Sequence, residues 1–204
     1  MTNRLHDRDL PAPLGDVASV AIDTETMGLN PFRDRLCLVQ LSVGDGNAEL
    51  VQIAKGQQTA DNLVALLGDP SVVKIFHYAR FDMGILYKTF GVMPEPVFCT
   101  KIASRLVRTY TDRHGLKDLV RELVEVDISK QQQSSDWGSS KLSDAQLAYA
   151  ASDVLYLHTL KDRLSTLLER EERMALARSC FDFLPTRVKL DLAGFAEDDI
   201  FAHS

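Results

Sequence analysis

The first sustained apolar run lies at residues 17–25, "VASVAIDTE", β-branched and bounded by Gly15, and it predicts a strand. "LCLVQLSV" (36–43) and "AELVQI" (48–53) read as two more strands, with the hairpin signal "GDGN" between them. The three predict an antiparallel meander. "TADNLVALLG" (59–68) reads as a short helix and "SVVKIFH" (71–77) as a fourth strand. "ARFDMGILYKTFG" (79–91) has helical periodicity and is stopped by Gly91. "PVFCT" (96–100) is a short fifth strand, and helices follow at 101–109 and 115–125.

"DISKQQQSSDWGSSKL" (127–142) breaks the pattern. It is polar, irregular and long for a connection inside a compact domain, which marks a functional loop. Ser143 and Gln146 form a capping box that opens a helix expected to run to residue 169. The last stretch is expected to break at Pro185 and Gly194. It still carries Phe181, Phe183, Leu184, Leu190, Leu192, Phe195, Ile200 and Phe201. So much apolar surface predicts that 180–204 docks on its own domain or on a neighbouring subunit. Hairpin strands followed by alternating strands and helices give an α/β fold, a mixed central sheet flanked by helices on both faces, with 1–204 as one domain.

Composition adds limits. The chain has 204 residues, 45% hydrophobic and 25% charged, an ordinary globular balance. It opens without an apolar signal core, and no apolar run approaches the roughly 18 residues of a membrane helix. Cys37, Cys99 and Cys180 share no metal-ligand spacing and read as buried thiols of a reducing compartment, so the expectation is a cytoplasmic protein without a membrane span. A net charge of −6 argues against coating long nucleic acid by charge alone. Residues 101–117 run the other way, with Lys101, Arg105, Arg108, Arg113 and Lys117 against Asp112 alone. Lys101, Arg105 and Arg108 share one helix face, either a solvated face or a docking surface for phosphates.

The candidate chemistry begins at "AIDTETMGL" (21–29). Asp23 and Glu25 are two apart on a strand and share a face, so their charges repel unless a cation lies between them. Alone, the pair also reads as the polar end of a strand. Asp82, in "HYARFDMG" (77–84), falls in the first turns of a helix, where an acid also complements the helix dipole. Tyr149 and Asp153 in "YAASD" share a helix face, and Asp153 sits among Ala150, Ala151, Val154 and Leu155.

D-x-E on the first strand, an Asp after the fourth and Y-x-x-x-D on a late helix resemble the DEDDy 3′–5′ exonucleases of the ribonuclease H-like (DnaQ-like) fold. "HGLKDLV" (114–120), "SSDW" (134–137) and "LAYAASDVLYL" (147–157) resemble ribonuclease D, and the likeness spans roughly 15–170. "RDRLCLVQLS", "VFCTKIASRL", "RTYTDRHGLK", "ISKQQQSSDW" and the ending "DIFAHS" are similar to nano-RNase C, a short bacterial family that degrades RNA dinucleotides. The resemblance, ending soon after the nuclease core, leads to the expectation that ribonuclease D's helical RNA-binding domains are lacking. Cys99-Thr100 departs from the usual Asp-Thr, and Tyr78 from the Asn common in proofreading enzymes.

The resemblance implies two Mg²⁺ (or Mn²⁺) ions per site, held by Asp23, Glu25, Asp82 and Asp153. Hard oxygen ligands suit these ions. Asp23 would bridge both ions, Glu25 and Asp153 would hold the one carrying the nucleophile, and Asp82 would act largely through water. Tyr149 would orient the attacking water. Substrate contacts are expected from Thr24, Leu29 as a wedge between bases, His77, Phe81, Lys130, Gln133 and Ser135, with Gln132 beside them. Trp137 reads as a core anchor for its loop. Leu29 is also readable as a loop leucine capping the core, and His77 as a satisfied strand-end histidine. The expected substrate is a dinucleotide, pNpN, or else longer RNA or DNA 3′ ends; a binding scaffold with a dead site is the non-enzymatic alternative. A homo-oligomer, an octamer by resemblance, is the expected assembly.

Overall fold

The computed structural model describes residues 2–129 and 131–203. A six-stranded mixed sheet in the order β1-β4-β3-β2-β5-β6 forms its centre. The strands are β1 (Asn3–Asp7), β2 (Ser19–Thr26), β3 (Leu36–Ser42), β4 (Ala48–Gln52), β5 (Val73–Phe76) and β6 (Val97–Cys99). β2, β3 and β4 pair antiparallel, as the meander requires. Gly44 and Gly46 turn the β3–β4 hairpin at φ +86° and +81°, a backbone region that glycine enters without steric cost. β5 and β6 then continue the sheet parallel to β2. Every residue of β3 is buried, as expected of a strand covered on both faces.

β1 has no counterpart in the sequence expectations. "NRLHD" is polar and mostly exposed, and it joins the edge of the sheet parallel to β4. Its backbone supplies the stability: Arg4 and His6 also reach Glu49 on β4.

Seven α-helices flank the sheet among the described residues. They are α1 (Asp61–Gly68), α2 (Ala79–Phe90), α3 (Thr100–Val107), α4 (Leu116–Leu123), α5 (Asp144–Leu155), α6 (Leu157–Arg170) and α7 (Met174–Leu190). The capping box forms: the Ser143 hydroxyl accepts from the Gln146 backbone at 3.3 Å, and Gln146 Oε1 accepts from the Ser143 backbone at 2.9 Å.

Three expectations need correction. The helix from Ser143 is two helices, parted at Tyr156. The buried stripe of Ala150, Val154, Leu157, Leu160, Leu164 and Leu168 runs across the break at helical spacing, and no Pro or Gly marks it. Pro185 does not break its helix. α7 runs through it, with Phe181, Leu184 and Val188 buried around it. Burying each such side chain is worth about 1.5–3 kcal/mol, enough to outweigh the ~3 kcal/mol a mid-helix proline costs. Arg108 is not on the exposed face of α3. The helix ends at Val107, and Arg108 turns inward, 1% exposed, to Glu122, the Ser104 hydroxyl (3.1 Å) and the Arg113 carbonyl (2.7 Å). Of the thiols, Cys37 and Cys99 are buried and Cys180 only partly so.

The segment after α7 turns back on the domain. Arg80 on α2 pairs with Asp191 at 2.5 and 2.7 Å, and Arg187 holds the same carboxylate at 2.6 and 2.8 Å. Both arginines also donate to the Ala196 carbonyl. Beyond this clamp Ile200 and Phe201 stay exposed. Among the described residues no helix is long and apolar enough to cross a membrane.

Candidate active site

The end of β2 builds the site. Asp23 and Glu25 leave the strand on one side, where α5 brings Asp153. One ligand oxygen from each of the three lies within 4.8 Å of the others. Thr24, between them in sequence, is buried and turns to α2, donating its hydroxyl to Asp82 Oδ1 at 2.6 Å. Thr24 thus fixes the Asp82 carboxylate, which lies outside the three-carboxylate group but lines the same cleft.

α2 is aimed by Tyr78, which stands in the left-handed region at φ 70°, ψ 47°. That turn costs a non-glycine residue roughly 1–2 kcal/mol, and it swings the chain from β5 so that Asp82 falls in the first helical turn. The Lys101 ammonium lies 4.4 Å from the centre of the Tyr78 ring, a cation–π contact that offsets part of the strain.

Electrostatically the site is frustrated. Among the described residues neither Asp23 nor Glu25 is in an ion pair. Burial lifts the Asp23 carboxyl to about 7, against a hydrogen bond from the Thr24 backbone that lowers it. Burial, then the charges of Asp23, Asp153 and Asp82, push Glu25 to about 10. Asp82 also rises well above the carboxylate range, by burial and by the charge of Asp23. Burial and the neighbouring Asp153 raise Tyr149 above its ordinary value, so its phenol keeps its proton and donates to Asp153.

This arrangement fits a divalent metal. Clustered oxygen donors whose mutual repulsion is relieved only by a cation are the donor set that hard ions select.

The cleft holds about 330 Å³ and is lined by Asp23, Thr24, Glu25, Leu29, His77, Phe81, Asp82, Gln133, Tyr149 and Asp153 among others. Leu29 is 82% exposed at its mouth, so it projects into solvent and does not cap the core. His77 Nδ1 lies 2.9 Å from the Thr100 hydroxyl. Ser135 lies apart from the cleft lining, its hydroxyl donated to Gln132 at 2.6 Å. Lys130 lies outside the described residues. Trp137 is buried with its ring 6.0 Å from that of Tyr149, tying the polar loop to α5.

Several contributors escape the sequence reading. Gln40, fully buried on β3 and directly across the ladder from Asp23, points its amide at Asp23 Oδ2 at 3.5 Å. A lone Gln in the apolar run "LCLVQLSV" is the available signal. Lys101 and Lys117, from the basic stretch that the sequence offered as a solvated face or a phosphate-docking surface, line the cleft wall, and Ile128 and Ser129 join them from the polar loop.

Comparison with known proteins agrees with this geometry. Residues 7–169 match a family model described as 3′-5′ exonuclease. A ribonuclease D of Gluconacetobacter diazotrophicus is 41% identical over 155 residues, covering 76% of this chain and 39% of that protein. The chain thus spans well under half the length of that relative. The structure of Brucella melitensis NrnC with bound Mg²⁺ superposes with a TM-score of 0.96 at 61% identity, covering 100% of both chains. The same protein bound to pGG gives 0.97 at 62% identity, again over 100% of both. Ribonuclease H-like exonuclease architecture, the carboxylates of the cleft and the match over most of the sequence agree: the chain belongs to the 3′-5′ exonuclease family.

Proposed function

We propose that the protein is a metal-dependent 3′–5′ exoribonuclease that hydrolyses short RNA, above all dinucleotides, to nucleoside 5′-monophosphates. The observation that carries the reading is the convergence of Asp23, Glu25 and Asp153 within 4.8 Å, beside Asp82 and Tyr149, in one cleft. Similarity to NrnC, solved with Mg²⁺ and with pGG, supports both the metal and the short substrate.

Asp23, Glu25 and Asp153 would hold the ions, two in this reading, with Asp82, steadied by the Thr24 hydroxyl, acting beside them largely through water. When bound, such ions supply Lewis acidity toward water and toward the departing oxygen. The chain's own groups do the rest. Tyr149, kept protonated, positions a water against the 3′-terminal phosphodiester. The water oxygen gives up a proton to solvent and bonds to phosphorus as the P–O3′ bond breaks, and the departing 3′-oxygen takes up a proton. From pNpN this yields two mononucleotides.

Two features favour short RNA. A cleft of about 330 Å³ is at the small end of ligand pockets, and Leu29 projects at its mouth where a wedge between bases would stand. Phe81 and His77 offer the wall for the terminal base, and Lys101 and Lys117 the attraction for phosphate. The exposed Ile200 and Phe201 suit a subunit contact in a homo-oligomer, checked by the mass in solution.

The deciding assay presents a 5′-phosphorylated RNA dinucleotide and a longer RNA in parallel with Mg²⁺. Much faster dinucleotide turnover supports the reading. Equal or faster trimming of the longer strand removes the dinucleotide preference, and binding without turnover of either indicates a scaffold.

A further inference from the structure

α3 separates two hollows. One is the carboxylate cleft. The other, about 660 Å³, lies between the start of α2, α3 and α7. Its lining includes Arg80, Lys101, Arg105 and Arg187 and no acidic residue, in a chain whose net charge is −6. Asp191 engages Arg80 and Arg187. No ion pair within 4.0 Å involves Lys101 or Arg105 among the described residues. The two lie one turn apart on α3, so both cations face the same space. Aromatic surface stands beside them: Phe183, 39% exposed, and Tyr78, whose ring already carries the Lys101 ammonium at 4.4 Å.

Cations without counter-charges on a rigid helix, beside exposed rings, are the elements that recognise a nucleotide. The guanidinium fork and the ammonium take phosphate oxygens, and the ring takes any base by its face. The burial of Arg108 sharpens the point, because it removes one of three cations from the α3 face and leaves the two that line this cavity.

We propose that this cavity is a second nucleotide site, adjoining the catalytic cleft along the shared edge of Tyr78 and Lys101, in which Arg105 holds a phosphate and Phe183 meets the base. The phosphate belongs to a free mononucleotide or to a residue of an RNA chain. The site goes beyond the exonuclease reading and requires no turnover.

The test uses the full chain in EDTA, which removes the metal ions that would hold phosphate in the cleft, so that dependence on Arg105, which lines only the second cavity, reports on that cavity. AMP and a 5′-phosphorylated hexaribonucleotide are titrated separately by calorimetry. Saturable binding is expected, weakened at least about tenfold by Arg105→Glu and by raised salt. Phe183→Ala is expected to weaken it less, and Arg105→Lys to retain most of it. Dependence on Arg105 for AMP identifies the free nucleotide as the source; dependence for the hexamer alone identifies an RNA chain. Folding of each variant is checked by thermal melting. No binding of either probe, or binding unchanged in a folded Arg105→Glu protein, overturns the proposal. A changed solution mass in Arg105→Glu with nucleotide binding intact assigns the cavity to a subunit contact and overturns it equally.

Discussion

Two partly buried acidic centres lie on either side of α2, and they are built on opposite principles. Asp191 sits between two guanidinium groups, each at 2.5–2.8 Å, and every element of that clamp has its counter-charge. Asp23 and Glu25 sit against each other and Asp153, and their pKa values climb to about 7 and about 10. A satisfied acid fastens chain to chain, here the segment after α7 to the helix that carries Asp82. A frustrated acid costs stability, and a fold keeps such a cost where a ligand removes it.

The largest effect that can break this contrast is on turnover. Asp153→Asn is expected to reduce Mg²⁺-dependent RNA hydrolysis by at least about a thousandfold, measured by product release. In EDTA the variant should melt at or above the wild-type temperature, since it removes a repelling charge. A variant that melts well below wild type would place Asp153 among the structural acids instead.

Asp191→Ala should do the reverse. It leaves two arginines facing each other and is expected to cost about 1–3 kcal/mol, less than the ~3–5 of a fully buried pair because the clamp is partly open to water. Chemical denaturation measures it.

Only part of the contrast is legible in the sequence. β2 to β6, α2 and the capped start of α5 follow from apolar periodicity and turn residues. Asp23, Glu25, Asp82, Tyr149 and Asp153 are legible as a pattern of chemical types on predicted elements, and the structure gathers them in one cleft. Asp191 is not legible, because its partner Arg80 lies 111 residues away and neither sits in a motif. β1 is hidden because its side chains are mostly polar and exposed, and its partner Glu49 lies more than forty residues away. Arg108 misleads because helical spacing assigns it a face, whereas the helix ends one residue earlier. Gln40 is hidden because its meaning comes only from the residue opposite it across the ladder.

A smaller effect separates the two centres by pH. A carboxylate whose folded pKa is raised contributes stability that is fully present below its unfolded value near 4 and is lost as pH rises through the folded value. In EDTA the melting temperature should therefore fall from about pH 4 toward about pH 10, most steeply below about pH 7, because the unfolded chain has given up the Asp23 and Glu25 protons that the folded site still holds. Asp23→Asn should flatten that slope, and Asp191→Ala should leave it in place. A slope unchanged in Asp23→Asn would contradict the frustrated site.

The smallest effect on stability belongs to Leu29. At 82% exposure, Leu29→Ala should change unfolding free energy by less than about 0.5 kcal/mol. It should still raise turnover of longer RNA relative to the dinucleotide in the parallel assay. An unchanged ratio would remove Leu29 from the specificity of the cleft.

The contrast rests on one claim, that the unsatisfied acids are kept for metal. Calorimetric titration of the substrate-free protein with Mn²⁺ near pH 7, in two buffers of different ionisation enthalpy, tests it most directly. The account predicts saturable binding that releases protons from the site carboxyls and is abolished by Asp23→Asn. Absence of binding, or binding with the same proton release in Asp23→Asn, would contradict it.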